Sequence, residues 1–200
     1  MNKIQRILIE EQFKGLKINN WFLATYYYLI DSKYRKKEKL KSYLKRQLKS
    51  VSTDTYKLAR SLRGKDEEET IINILKWVIK NFRYKNDGDN YNKVEYWADI
   101  EEMMLRRTDD CDGMNTVVYV LARLAGIGSS ILYAAIGDTG VGGHFWLLFW
   151  STNYDKLVSI DSTYYPSKVC VKNRPKFFLN KYKYQNLWYV FNDKITIRIV

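Results

Sequence analysis

Apolar positions along the chain first recur at helical spacing and later at strand spacing. Residues 3–30 alternate short apolar runs with polar residues, which predicts one or two helices. Over 33–49 (KYRKKEKLKSYLKRQLK), Tyr34, Leu40, Tyr43, Leu44 and Leu48 fall on one stripe, with a lysine-rich face opposite. Ile71, Ile74, Leu75, Val78 and Phe82 form a second stripe. Its acidic entry, DEEE, suits the positive end of a helix dipole, with Asp66 as the cap. NDGDN (86–90) reads as a turn or loop and YWADIEEMMLRR (96–107) as a short helix. Met114, Val117, Val118, Leu121, Leu124 and Ala125 define a helix that starts near Asp109–Asp112 and stops at Gly126.

After Gly126 the pattern becomes strand-like. ILYAAIG (131–137), HFWLLFW (144–150) and KLVSIDS (156–162) are rich in β-branched and aromatic residues, with turn-like DTGVGG and STNY between them. The predicted fold class is α+β: a helix packed on an antiparallel sheet, preceded by an N-terminal helical region. Charge changes sign and Gly64 breaks the pattern in SLRGKDEEE (61–69). That places the boundary between a basic helical region, 1–65, and a second domain, 66–200.

With 200 residues, 46% hydrophobic and 28% charged, the chain is globular in composition. The formal net charge of +12 sits on the flanks. Residues 1–65 carry 17 Lys+Arg against 5 Asp+Glu, residues 66–170 carry 10 against 16, and residues 171–200 carry 7 against 1. Basic ends can meet nucleic acid, anionic lipid or an acidic protein, or can pack on the acidic middle. No base-stacking or groove-reading motif accompanies them. The apolar run WFLATYYYLI (21–30) is shorter than the roughly 20 residues a membrane helix needs. Glu10 and Glu11 interrupt the N-terminal run, so no secretory signal is read and a cytoplasmic location is expected. The two cysteines there are expected as free thiols.

Cys111 stands in RRTDDCDGMN, at the start of the third stripe. A helix N-terminus and a neighbouring imidazolium both favour a thiolate, whereas the flanking aspartates oppose it unless one of Asp109 and Asp110 caps the helix. The only histidine, His144, opens the second predicted strand, and Asp161 lies in the third. If 151–154 form a four-residue hairpin loop, 150 faces 155 and 144 faces 161. His144 and Asp161 are then direct neighbours on one face, with Cβ atoms about 4.5–5.5 Å apart. A one-residue slip would separate them. An imidazole oriented by a carboxylate and adjacent to a thiol makes a nucleophile–base–orienter set.

The segment from about 68 to 166 resembles the transglutaminase-like (papain-like) thiol enzyme superfamily. The resemblance rests on ILKWVIKNFRYKND, DDCDGMNTVVYVLARLAGIGSSILYAAIG, GGHFWLLFW and LVSIDSTYYP. It implies Cys111 as nucleophile, His144 as base and acid, and Asp161 as orienter. The chain departs from the family pattern in two places: Asp109–Asp110 replace the usual glycine before Cys, and Asn115 stands near the place of a helix alanine. The expected activity is thiol acyl transfer through a thioester on a protein or peptide substrate, as a cysteine protease or amidase. Transglutaminase-type cross-linking and an inactive binding module with basic arms are the alternatives. The backbone N–H of Cys111 is one expected oxyanion donor, and the Trp97 indole is the candidate second, with core packing as its other reading. Trp146 either packs under the site or lines the cleft. Cys170 is read as a spectator. No cofactor is implied and no metal is expected, since no calcium loop is readable.

Overall fold

The computed structural model describes residues 40–139, 142–163, 184 and 186–198. The helices expected before residue 40, Cys170 and most of the basic C-terminal segment lie outside them. The helices are α1 (Leu40–Lys49), α2 (Thr53–Ser61), α3 (Glu67–Asn81), α4 (Asp87–Tyr91), α5 (Ile100–Arg106) and α6 (Cys111–Leu124). The strands are β1 (Arg83–Tyr84), β2 (Thr108–Asp109), β3 (Leu132–Asp138), β4 (Gly143–Ser151), β5 (Lys156–Ile160), β6 (Asn186–Phe191) and β7 (Thr196–Arg198). No helix among the described residues is long and apolar enough to cross a membrane.

The sheet order is β5-β4-β3-β6-β7, antiparallel throughout, while β1 and β2 form a separate two-stranded parallel pair. Alternation along the strands divides the sheet into two faces. Ala134, Ile136, Phe145, Leu147, Phe149, Val158 and Ile160 share a buried cluster with the helices. Tyr133, Ala135, Trp146, Leu148, Leu157 and Val190 form a second cluster on the other face, together with Tyr184. Helix α6 is the centre of the first cluster, with Val117, Val118, Tyr119, Val120, Leu121 and Ala122 all buried. Each such aliphatic side chain contributes about 1.5–3 kcal/mol by leaving water.

Tyr34 of the first stripe lies outside the described residues, and the other stripe positions pack on the core. Ile71, Ile74, Leu75, Val78 and Phe82 are buried, and Asp66 caps α3 by accepting from Glu69 N at 2.8 Å. Leu40, Tyr43 and Leu44 of α1 and Ala59 of α2 join the same cluster as α6. Buried Gln47 of α1 also accepts from Ile100 N at 2.6 Å, which satisfies the first turn of α5. Helix α6 ends where expected, with Gly126 at φ +107° beyond it. NDGDN differs from its expected form. Asn86 accepts from Asp89 N and Asn92 closes the segment at φ +54°, so these turn residues form the single-turn helix α4.

Polar ties also hold the sheet to the helices. Buried Glu68 of α3 accepts from Ser151 Oγ (2.6 Å), Asn153 N (3.1 Å) and Asn153 Nδ2 (2.7 Å), fixing the β4–β5 hairpin. Asp193, between β6 and β7, accepts from Tyr119 Oη (2.7 Å) and Arg123 Nε (2.9 Å) of α6.

Candidate active site

The hairpin register is offset from the expected one. Ser151 pairs with Lys156 and Leu147 with Ile160, so the loop is 152–155, one residue later on each strand. Asp155 takes the left-handed turn position at φ +44°, and Ser151 Oγ, held by Glu68, accepts from Tyr154 N. The slip totals two residues, which preserves the face. His144 and Asp161 therefore meet diagonally rather than directly opposite. His144 Nε2 lies 2.8 Å from Asp161 Oδ2, and both residues are buried.

Asp161 is held from several sides. Tyr184 Oη donates to Oδ2 at 2.8 Å, while Thr163 N (2.9 Å) and Thr163 Oγ1 (2.7 Å) donate to Oδ1. Burial works against the charge, yet the hydrogen bonds from His144 and Thr163 hold this carboxyl well below the usual carboxylate range. The imidazole stacks on Trp146, which in turn stacks on Tyr184 with ring centroids 4.7 Å apart. Trp146 is fully buried, so it packs beneath the histidine.

Cys111 is the first residue of α6 and half-buried. Asp110 caps the helix, its side chain accepting from Asp112 N at 3.1 Å. Burial pushes the thiol up, and the Asp110 and Asp112 carboxylates push the same way. The nearby Phe145 backbone N–H acts the other way and favours the thiolate. Phe145 directly follows His144, so the start of α6 meets the start of β4. Trp97 reaches the same region and packs edge-on against Phe145 and Tyr43. Its indole N–H donates to Glu95 Oε1 at 2.9 Å.

The sequence reading missed what surrounds the cysteine. Asp109 accepts from Tyr91 Oη (2.8 Å) and Asp110 N (2.9 Å), and buried Asp87 accepts from Tyr96 N. Gly113 makes room for this: a Cβ there would lie 2.1 Å from Asp109 Cγ. Desolvation raises Asp87 and Asp109 to about 7, helped by the neighbouring Asp110 charge. Asp87 Oδ1 and Asp112 Oδ2 are buried with no hydrogen-bond partner. Carboxylate oxygens of Asp87, Asp109 and Asp110 lie within 4.8 Å of one another, as do donor atoms of Asp110, Cys111 and Asp112. The first set, oxygen only, suits a hard divalent cation. No local spacing signals Asp87, which reaches the cluster only through the fold.

A helix that starts at Cys111, set against paired strands that bring His144 and Asp161 together, defines a helix-on-sheet fold of the thiol enzyme kind. The chain belongs to the transglutaminase-like superfamily, whose profile matches residues 56–162. Among solved structures it resembles Legionella pneumophila LapG in an EGTA-treated form (TM-score 0.53, 17% identity, 79% of this chain and 84% of that one). The calcium-bound form of the same protein gives TM-score 0.52, 18% identity, 79% of this chain and 87% of that one. No curated protein sequence matches the chain.

Proposed function

We propose that the protein is a thiol acyl-transfer enzyme acting on a protein or peptide carbonyl, with water as the acceptor: a cysteine protease or amidase. Cys111 is its nucleophile, His144 its base and acid, and Asp161 its orienter. The observation that carries this reading is the buried 2.8 Å contact between His144 and Asp161, with His144 one residue before Phe145, whose carbonyl accepts from Asn115 on the helix that Cys111 starts.

With Nε2 engaged by Asp161, proton exchange with the thiol falls to Nδ1. Burial and the aspartates beside Cys111 keep the resting thiol protonated, so His144 takes the proton as sulfur attacks. The tetrahedral oxyanion is received by backbone N–H groups at the start of α6, Cys111's own among them. Collapse expels the amine, which takes its proton from His144, and leaves a thioester on Cys111. His144 then deprotonates water, which attacks the thioester and restores the thiol. A Trp97 contribution to the oxyanion requires its indole to leave Glu95.

A second feature belongs to the same site. The orphaned Asp87 oxygen and the donor set of Asp87, Asp109 and Asp110 fit a calcium-like ion, the ion named for one of the similar structures. Bound there, such an ion supplies positive charge that offsets the carboxylates beside the thiol.

Intact-mass spectrometry after p-nitrophenyl acetate tests the reading. Wild type should carry a transient acetyl group on Cys111 that water removes, and Cys111→Ser should show none. Supplied amines should not divert it. Turnover in Cys111→Ser equal to wild type removes the nucleophile assignment, and quantitative transfer to a lysine amine favours the cross-linking alternative.

A further inference from the structure

At position 115, near the place where the family pattern has alanine, this chain has asparagine, fully buried. It lies one turn after Cys111 on the same helix face. The paired part of β4 and β5 stops at Leu147 and Ile160. Continued by count, that register would set Phe145 against Ser162. Instead the strands part there, and the Asn115 amide occupies the gap between them. Its Nδ2 donates to Phe145 O at 2.9 Å, and its Oδ1 accepts from Ser162 N and Ser162 Oγ, each at 3.0 Å. Nδ2 also reaches Cys111 O at 3.0 Å and, more weakly, Asp161 Oδ1 at 3.4 Å.

The side chain thus uses all its hydrogen-bonding capacity on three segments. They are the helix turn with Cys111, the strand residue after His144, and the residue after Asp161. The Phe145 carbonyl is thus tied to the same helix that Cys111 starts. An alanine here would leave the Phe145 carbonyl and the Ser162 donors without this partner.

We propose that Asn115 is the positioning residue of the site: its amide, wedged where β4 and β5 part, holds Cys111, His144 and Asp161 in register. The proposal rests on the Cys111–His144–Asp161 reading above. Asn115 does not touch the reacting atoms. It fixes how the helix start sits against the strand pair, and a displacement of about 1 Å in such a geometry costs on the order of 10²-fold in rate.

A double-mutant cycle tests it without a known substrate. The iodoacetamide labelling rate of Cys111 is read by peptide mass spectrometry at neutral pH. The variants are wild type, Asn115→Ala, His144→Ala and the double variant, with thermal denaturation confirming that each is folded. We expect Asn115→Ala to slow labelling by about tenfold to a hundredfold. The double variant should be no slower than His144→Ala, because a residue that acts through the imidazole has nothing left to position once it is gone. Labelling unchanged in Asn115→Ala, or slowed equally in both backgrounds, overturns the positioning role while the thiol-enzyme reading stands. Equal rates in wild type and His144→Ala overturn that reading, and Asn115's role falls with it. Should Asn115→Ala not fold, Asn115→Ser enters the same cycle. Its hydroxyl can satisfy its own helix but cannot bridge both strands.

Discussion

Asp161 Oδ2 receives two partners at the same distance, His144 Nε2 and Tyr184 Oη, each at 2.8 Å. One comes from the neighbouring strand and the other from just before β6. The carboxylate therefore orients the imidazole while being oriented itself.

Replacing Asp161 with Asn should lower the His144-dependent reactivity of Cys111 by about 10²–10⁴-fold, the range for loss of a base or its orienter. It should also lower stability in a pH-dependent way. The folded carboxyl titrates below its unfolded value of about 3.9, so its contribution is full above that pH and is lost as pH falls below it. Chemical denaturation at pH 7 and pH 3 should show the gap between wild type and Asp161→Asn closing at the lower pH. A gap that is constant across that range would contradict the ionised assignment.

Tyr184→Phe removes one hydrogen bond to Asp161 and keeps the ring against Trp146. A hydrogen bond to a charged group is worth about 1.5–3 kcal/mol. Stability should drop by that order while labelling of Cys111 falls less than in Asp161→Asn. Thermal denaturation and labelling on the same sample check both. A larger effect on reactivity than on stability would give the tyrosine a part in the chemistry.

Asp87 and Asp109 have folded values near 7 against unfolded values of about 3.9. Between those limits the folded state holds more protons than the unfolded one, so metal-free stability should fall as pH rises from about 4 to about 7. Asp87→Asn should flatten part of that slope and gain on the order of 1 kcal/mol above pH 7. Calcium should raise the thermal midpoint of wild type and leave Asp87→Asn little changed. A midpoint indifferent to calcium in wild type would remove the cation from the site.

Gly113→Ala offers a test of packing. Alanine is the better helix former by about 1 kcal/mol, so on propensity alone the change stabilises. The added Cβ, however, would fall within 2.1 Å of Asp109 Cγ. We expect a net loss of about 1–3 kcal/mol as Asp109 is driven off Tyr91. Calorimetry showing a rise instead would mean that Asp109 yields without cost.

What was legible in the sequence was local. Periodicity located α3, α6 and three strands, and the aspartate before the cysteine was readable as a cap because capping depends on neighbours alone. The His144–Asp161 face survived the wrong loop because parity depends only on whether the slip is odd or even. Strands β6 and β7 went unread: β6 joins β3 rather than β5, a pairing set by packing far along the chain. Tyr184 and Asp87 escaped for the same reason, since each reaches the site through tertiary contacts. Asn115 was visible only as a departure from the family pattern. Its use became clear with the gap between Phe145 and Ser162.

The wedge of Asn115 between two strands also limits how the gene can change. Substitutions around the site alter shape, but an inserted residue alters phase. One extra residue between Cys111 and Asn115 would turn the amide about 100° around the helix relative to the thiol. It would face the core instead of the gap, and the strands would lose their bridge. Insertions in this chain should therefore be confined to loops, with the spacing of four between Cys111 and Asn115 held constant in working descendants.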